Sequence, residues 1–381
     1  MQHSFLKYFD RINDKYGAWL FYIGLFLMIV GRPWFSTNKE TPEVYFTLYL
    51  LFRNTGRLLL VSRLLLFSHK YPPYVLSCIF AFALIWYSHT LSGFSVLLNS
   101  CIIIAASKDA DFKTIQKVFL VAFPIVLLVA LASWNLEWAG NIIKHKFNLI
   151  GHSRGFSNPN LTAFLLLMVT LLVLQHWDIK QTKVIWIICW SVAILVFILT
   201  LGLTSVTVLF MIPILYYILC HYRIPAWSLA LLPIICLLVS IFLSCYYGPS
   251  YGETTFESRF SIPALVYQNH GLSLFGQEYG FVNATMSKQT GAHTLCVDNI
   301  FLHLVLCDGI VIALLVYGFL GHFLYKIYRS GNPLLISSAI GITLSGMMEE
   351  ILLDTTVNFM LLYYFNCFTP HSKTVSETID S

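Results

Sequence analysis

Apolar runs long enough to cross a lipid bilayer recur along almost the whole chain. A helix needs roughly twenty apolar residues to span the hydrocarbon core, and it satisfies its backbone polar groups internally. The chain is 57% hydrophobic and 11% charged, whereas globular domains are roughly one quarter charged. The runs predict about twelve spans, at residues 17–30, 44–67, 74–91, 94–106, 118–134, 161–174, 184–199, 204–220, 226–245, 300–319, 334–348 and 356–368. The sequence therefore predicts an all-α, polytopic integral membrane protein.

The chain is predicted to form one membrane domain over residues 1–381. It shows no internal repeat and no linker, and a polar tail at about 370–381 is predicted to be disordered. Two long polar loops interrupt the apolar pattern, at about 135–160 and 246–299. With twelve spans both termini lie on one side of the membrane.

Lysine and arginine mark that side as cytoplasmic. It receives fifteen of these residues, although the two long loops lie opposite. The opposite side receives seven, namely Arg32, Lys39, Lys144, Lys146, Arg154, Arg259 and Lys288. Cytoplasmic loops are enriched in lysine and arginine, so we expect cytoplasmic termini and two extracytoplasmic loops.

Metal and nucleic-acid binding are not indicated by the sequence. The nine cysteines lie mostly inside apolar runs, and the histidines show no metal-ligand spacing. No basic cluster is interleaved with aromatic residues, as nucleic-acid binding would require. We therefore predict no metal, no cofactor and no nucleic-acid partner.

The second apolar run carries Arg53 and Arg57, four residues apart and hence on one face of a helix. Two interpretations are open. Both side chains can extend toward cytoplasmic headgroups from a tilted helix. Alternatively, they form a cationic face that is turned into the bundle toward a lipid phosphate, since charges inside a membrane are commonly functional.

The first long loop ends with a polar stretch directly before an apolar helix. Asn158 or Asn160 can cap that helix, and Pro159 is tolerated in its first turn. Backbone donors would then point outward beside Arg154, an arrangement that suits a phosphate. The alternative is that Arg154 only pairs with lipid headgroups.

The second long loop contributes Arg259 and, at its end, Asp298 and Asn299. Two arginines from separate loops would bind a diphosphate and neutralise it as a leaving group. Asp298 can accept a proton from a sugar hydroxyl, while Asn299 can cap the helix that begins at Ile300.

Further residues are candidates for the base in place of Asp298, or for a supporting role beside it. His293 is an alternative base, because its ordinary pKa is closer to neutrality. Glu349, Glu350 and Asp354 follow the eleventh run on the same outer side, where they would orient the arginines or act as base.

Several of these motifs, in their order, resemble the Wzy-type polysaccharide polymerases of bacterial capsule, exopolysaccharide and O-antigen pathways, especially the Gram-positive branch. The resemblance covers roughly the C-terminal two thirds of the chain. It is carried by Arg154-Gly155-Phe156, Asn158-Pro159-Asn160, Ser258-Arg259-Phe260, Leu274-Phe275-Gly276, Val297-Asp298-Asn299 with Phe301-Leu302 and Gly309, and Glu349-Glu350.

The resemblance implies a GT-C-like transferase in the bacterial cytoplasmic membrane. Such an enzyme joins undecaprenyl-diphosphate-linked oligosaccharide repeat units on the outer face, without a metal. Its partners would be that lipid-linked oligosaccharide and the bilayer, with a flippase and a chain-length regulator as candidate protein partners.

The resemblance supports Asp298 as the base, since related O-antigen ligases carry a histidine at its position. With the candidates argued above from the residues themselves, the catalytic candidates are Asp298, His293 and Glu350. The substrate-binding candidates are Arg154, Arg259, Asn158, Asn160 and Asn299. The chain departs from the family between the seventh and eighth spans, where residues 200–207 lack the usual arginine.

Two alternatives stay open at this point. An O-antigen-ligase-like transferase would move a finished glycan to another acceptor. A lipid-linked oligosaccharide flippase or another transporter would use Arg53 and Arg57 along its path. Transporters often show two related halves and helices broken at mid-membrane, and the sequence indicates neither.

Overall fold

The computed structural model describes residues 16–31, 43–66, 94–135, 143–146, 149–153, 156, 159–222, 224–252, 254–277 and 295–366. Within these residues the helices are α1 (Ala18–Val30), α2 (Glu43–Leu66), α3 (Phe94–Ala106), α4 (Phe112–Asn135), α5 (Pro159–His176), α6 (Thr182–Thr200), α7 (Leu203–His221), α8 (Ala226–Ala230), α9 (Leu232–Tyr247), α10 (Thr255–His270), α11 (Ile300–His303), α12 (Ile310–Arg329), α13 (Pro333–Ser345) and α14 (Tyr363–Asn366). The predicted run at 74–91 lies outside the described residues.

Five helices of the described part, α4, α5, α6, α7 and α12, are long and apolar enough to cross a membrane. Four shorter apolar helices accompany them, at Ala18–Val30, Val96–Ala106, Leu232–Tyr247 and Pro333–Ser345. The chain is therefore a helical membrane protein, as the sequence predicts.

The bundle has a buried interior and an apolar exterior. Helix α5 is buried on nearly all sides, and α13 likewise. Helix α6 instead exposes large apolar side chains, including Ile187 and Ile198. A helix that is apolar all round belongs in a core, whereas an extended apolar outer face suits contact with lipid.

Helix α12 is preceded by a break that the apolar pattern did not predict. The predicted span 300–319 begins as the short α11 and one π-helical turn, Leu304–Asp308, and α12 begins only after Gly309. Gly309 has φ +98°, and a Cβ there would lie 2.4 Å from the backbone nitrogen of Gly276. Only glycine allows both this conformation and this close approach.

The loop 271–277 fills the break. Gln277 donates from its side chain to the carbonyl of Leu306 and from its backbone to that of Cys307, both at 2.9 Å. In return the backbone nitrogens of Ile310 and Val311 donate to carbonyls of this loop. The loop that contains the Leu274-Phe275-Gly276 motif therefore satisfies the open ends of a broken helix, mainly through the flanking Ser273 and Gln277.

The last predicted span, 356–368, is not a continuous helix where the structure describes it. Two 3₁₀ turns, Glu350–Leu353 and Phe359–Leu362, are joined by turns, and residues 351–362 are buried. Asn358 explains the departure, because its side chain donates to the carbonyl of Leu352 and accepts from the nitrogen of Met360. These bonds replace those of a helix.

Both long loops contain regular structure. In the first, Ile143–Lys146 (β1) and Leu149–His152 (β2) pair antiparallel, with Ile143 opposite His152. This hairpin is the exception to the all-α prediction within the described residues. The second loop contains α10, which carries Arg259.

Candidate functional site

Arg259 is buried on the inner side of α10. Thr254 caps this helix by accepting from the backbone nitrogen of Glu257 at 3.1 Å. Phe260, Ile262 and Val266 are buried on the same helix. These apolar contacts draw α10 onto the bundle and take Arg259 with it, leaving the arginine 8% exposed.

Asp298 is held in place by its two neighbours. The carbonyl of Val297 lies 3.2 Å from Nδ1 of His303, which must therefore be the donor. Asn299 is fully buried and caps α11, accepting from the nitrogens of Phe301 and Leu302. Its amide nitrogen also donates to Ser240 Oγ at 2.9 Å.

The anchored backbone carries the Asp298 carboxylate to Arg259. NH1 of Arg259 forms an ion pair with Oδ2 of Asp298. The other oxygen accepts from the thiol of Cys296 at 2.9 Å. Burial raises the pKa of that thiol to about 12, so it stays a neutral donor at physiological pH.

Glu349 reaches the same arginine from the end of α13. The backbone nitrogen of Ile300 donates to the carbonyl of Gly346 at 2.9 Å, which joins the start of α11 to the turn after α13. Asp298 precedes this contact by two residues and Glu349 follows it by three, so their side chains converge on Arg259. The NH2 group of Arg259 lies 3.9 Å from Oε1 of Glu349.

Two neutral donors fix the Glu349 carboxylate. Asn160 Nδ2 donates to Oε1 at 2.8 Å, and the hydroxyl of Thr204 donates to the same oxygen at 3.2 Å. Helices α5, α7, α10 and the turn after α13 thus each contribute one side chain. We call Arg259, Asp298, Glu349, Asn160 and Thr204 the Arg259 site.

A cavity of about 350 Å³ adjoins this cluster. Its polar lining includes Asn160, Thr204, Thr207, Arg259 and Glu349, and the remainder is largely apolar, for example Met211 and Leu344. One cavity therefore combines a guanidinium, a carboxylate and hydroxyls with a largely apolar lining. Such a lining suits a molecule with an anionic head and an apolar chain.

Helix α7 adds a weaker anion-binding element at this cavity. It starts at Leu203, immediately before Thr204, and Gly202 provides no side-chain cap. The partial positive charge of a helix N-terminus favours anions, and Thr204 and Thr207 are hydroxyl donors in its first turns. This segment is the one in which the resemblance expects an arginine.

The predicted site residues divide into four groups. Arg259, Asp298 and Asn160 are brought together, whereas Asn299 caps α11 and holds the backbone next to Asp298. Glu350 is exposed, and its neighbour Glu349 lies in the cavity lining instead. Arg154, Asn158 and His293 lie outside the described residues.

Thr204 and Thr207 were missed by the sequence analysis. Each belongs to the predicted eighth span, where a threonine is ordinary and carries no motif. These threonines stand out only because the start of their helix lies beside Asn160 and Glu349, and this proximity is visible in the tertiary structure and not in the sequence.

Among the described residues no group of three or more His, Cys, Asp or Glu side chains is arranged to hold a metal ion.

Comparisons with known proteins give no relative for this chain. No protein-family model, curated protein or solved structure matches it.

Proposed function

We propose that the protein is a polysaccharide polymerase that joins undecaprenyl-diphosphate-linked oligosaccharide units on the outer face of the bacterial cytoplasmic membrane. In this proposal the bundle is GT-C-like, with about twelve spans and cytoplasmic termini. The observation that carries it is one buried arginine between two carboxylates, beside a cavity whose lining is partly polar and largely apolar.

Arg259 is the proposed phosphate-binding group. A guanidinium binds phosphate oxygens through a planar fork of donors, and burial strengthens that interaction. Arg259 already lies against two carboxylates, so a diphosphate has to displace one of them or meet a further cation. Arg154 is the further cation in this proposal, by its position in the sequence.

Substrate binding and base release are coupled in this arrangement. A diphosphate that takes NH1 of Arg259 frees the Asp298 carboxylate from its ion pair. Asp298 then accepts the proton of the attacking sugar hydroxyl. The new bond forms from that oxygen to the anomeric carbon, and the bond between the anomeric carbon and the diphosphate oxygen breaks. Arg259 stabilises the departing lipid diphosphate.

Asp298 is preferred over Glu349 as the base because of its exposure. The Asp298 side chain is 29% exposed and that of Glu349 is 9% exposed, so an incoming hydroxyl has better access to Asp298. Glu349 is held by Asn160 and Thr204 at the cavity wall. Glu349 orients Arg259 at the cavity wall.

The test is polymer formation by purified protein in liposomes supplied with its lipid-linked repeat unit. We expect a ladder of multiples from the wild type and a loss of about 100-fold or more in Asp298→Asn and Arg259→Lys. Lys180→Gln, which removes an exposed charge outside the Arg259 site, is the matched control. Wild-type ladders from both site variants would refute the proposal.

A further inference from the structure

Helix α2 carries its arginines on the side that faces the bundle. Its buried positions are Tyr49, Gly56, Leu60, Arg63 and Leu64, while Leu48, Leu51, Leu58 and Leu65 are exposed. Arg53 and Arg57 fall on the buried face by helical spacing, one turn from Tyr49 and Leu60. Arg53 is ten residues from the start of α2, or about 15 Å along its axis. Both arginines therefore face neighbouring helices rather than lipid.

Arg63 has a structural explanation. Its NH2 group donates to the carbonyl of Lys108 at 2.7 Å, at the turn after α3. Its guanidinium also lies 5.2 Å from the ring centre of Phe21 on α1. These contacts join three helices at one end of the bundle.

Arg53 and Arg57, the α2 arginine pair, are not explained in this way. Nε of Arg57 donates to Oδ1 of Asn99 on α3 at 2.9 Å, and a neutral amide orients a charge without cancelling it. Nε of Arg53 is buried and has no hydrogen-bond partner within the residues that the structure describes. No carboxylate of those residues forms an ion pair with either arginine.

The packing of α1 on α2 keeps this pair close to a neighbouring backbone. A Cβ on Gly31, the residue that follows α1, would lie 2.4 Å from the nitrogen of Arg53, and one on Gly56 would lie 2.8 Å from the carbonyl oxygen of Gly24. Glycines at these positions allow the close contact. Two like charges in such apolar surroundings repel each other and are costly without an anion.

We propose that Arg53 and Arg57 form a second anion site, which binds the phosphate or diphosphate group of a membrane lipid. One helical turn places the two guanidinium groups on the same side, so both can donate to a single anionic group. Asn99 fixes the direction of one of them. The identity of the lipid rests on the proposed function, since a polymerase holds two lipid-linked diphosphates at once, and the Arg259 site serves one of them.

One hydrogen bond links the helix of Asn99 to the chain segment that follows Glu349. Ser100 follows Asn99 on α3, and its hydroxyl accepts from the backbone nitrogen of Thr355 at 3.1 Å. Thr355 belongs to the irregular segment that begins directly after Glu349. Helix α3 therefore packs against the segment that continues from the Arg259 site.

Native mass spectrometry of the purified protein counts the bound lipids. With undecaprenyl diphosphate as the probe, we expect two molecules on the wild type and one on Arg53→Gln/Arg57→Gln. Arg259→Gln is also expected to retain one, held by the α2 pair. The control Lys180→Gln/Arg329→Gln removes two exposed charges and should retain two. Size-exclusion profiles confirm that each variant is folded.

The outcomes separate this inference from the proposed function. Two lipids on Arg53→Gln/Arg57→Gln would overturn the second site. If that variant does not fold, Arg53→Lys/Arg57→Lys keeps the charges without the forks and should bind about tenfold more weakly; unchanged binding would overturn the inference. Two lipids on Arg259→Gln would count against the Arg259 site alone. Equal displacement by phosphatidylglycerol would support the anion site but overturn its assignment to the substrate.

Discussion

Arg259 and the α2 arginine pair use the same side chain in opposite electrostatic settings. Arg259 lies between Asp298 and Glu349, so its positive charge is already compensated. Arg53 and Arg57 lie one helical turn apart on the same face of α2. Among the described residues, the side-chain hydrogen bond of this pair runs from Arg57 to the neutral amide of Asn99. The charge of Arg259 is compensated without a ligand, whereas the α2 arginine pair lacks an anion among the described residues.

The difference teaches how each region would use a phosphate. At the Arg259 site a diphosphate competes with a carboxylate, and this competition releases the proposed base. At the α2 pair an anion relieves repulsion and displaces nothing. The first arrangement suits chemistry and the second suits holding a substrate.

Methionine substitutions should affect stability with opposite signs in the two regions. Arg259→Met leaves two carboxylates without their cation, and we expect a loss of about 3 kcal/mol in the free energy of unfolding. Arg53→Met removes a repelling charge and should raise it by about 1 kcal/mol. Unfolding of the purified protein in detergent measures both. The same sign in both variants would break the comparison.

Loss of the Asn299 cap should disturb the Arg259 site and leave the α2 arginine pair unchanged. Asn299→Ala leaves two backbone donors and Ser240 unpaired, so we expect about 2 kcal/mol of destabilisation. Lipid binding at the α2 pair should be unaffected in the folded fraction. Asn160→Ala is the companion variant, for which we expect a larger effect on polymer yield than on unfolding. Equal unfolding curves for the two variants would contradict this division.

The two adjacent glutamates should separate by activity. Glu349→Gln keeps an acceptor for Asn160 and Thr204 but loses the charge beside Arg259, so we expect about tenfold less polymer, or about 1.4 kcal/mol. Glu350→Gln alters an exposed side chain and should change the yield less than twofold. Polymer yield in liposomes is the measurement, and a larger loss in Glu350→Gln would restore that residue as the catalytic carboxylate.

Inorganic diphosphate should give the smallest effect. At ten times its dissociation constant a ligand stabilises the folded state by RT ln 11, which is about 1.4 kcal/mol. We expect a rise in Tm for the wild type and for Arg259→Gln, since the α2 pair binds without a competing carboxylate. The rise in Tm should be smaller for Arg53→Gln/Arg57→Gln. A rise that depends on Arg259 and not on the α2 pair would reverse the comparison.

Particular residues show how far the sequence could lead. Asn299 as the cap of the helix at Ile300 was predicted from its position before an apolar run, and the structure confirms it. The order of the motifs pointed to Arg259, Asp298 and Asn160, whose catalytic and binding roles stay predictions. Neither the hairpin at Ile143–Lys146 and Leu149–His152 nor the break at Gly309 was predicted, because both depend on local turns that hydropathy does not report.

The sequence by itself determined that this is a helical membrane protein, because apolar runs of bilayer length leave the helix as the structure that satisfies every backbone group. It also determined which polar residues stand out against that background. Only the tertiary structure decided which of them meet. Glu349 rather than Glu350 reaches Arg259, and Thr204 joins them, because a bond from Ile300 to Gly346 and the packing of four helix ends bring distant segments together. Such contacts arise between elements, and no single run of residues contains them.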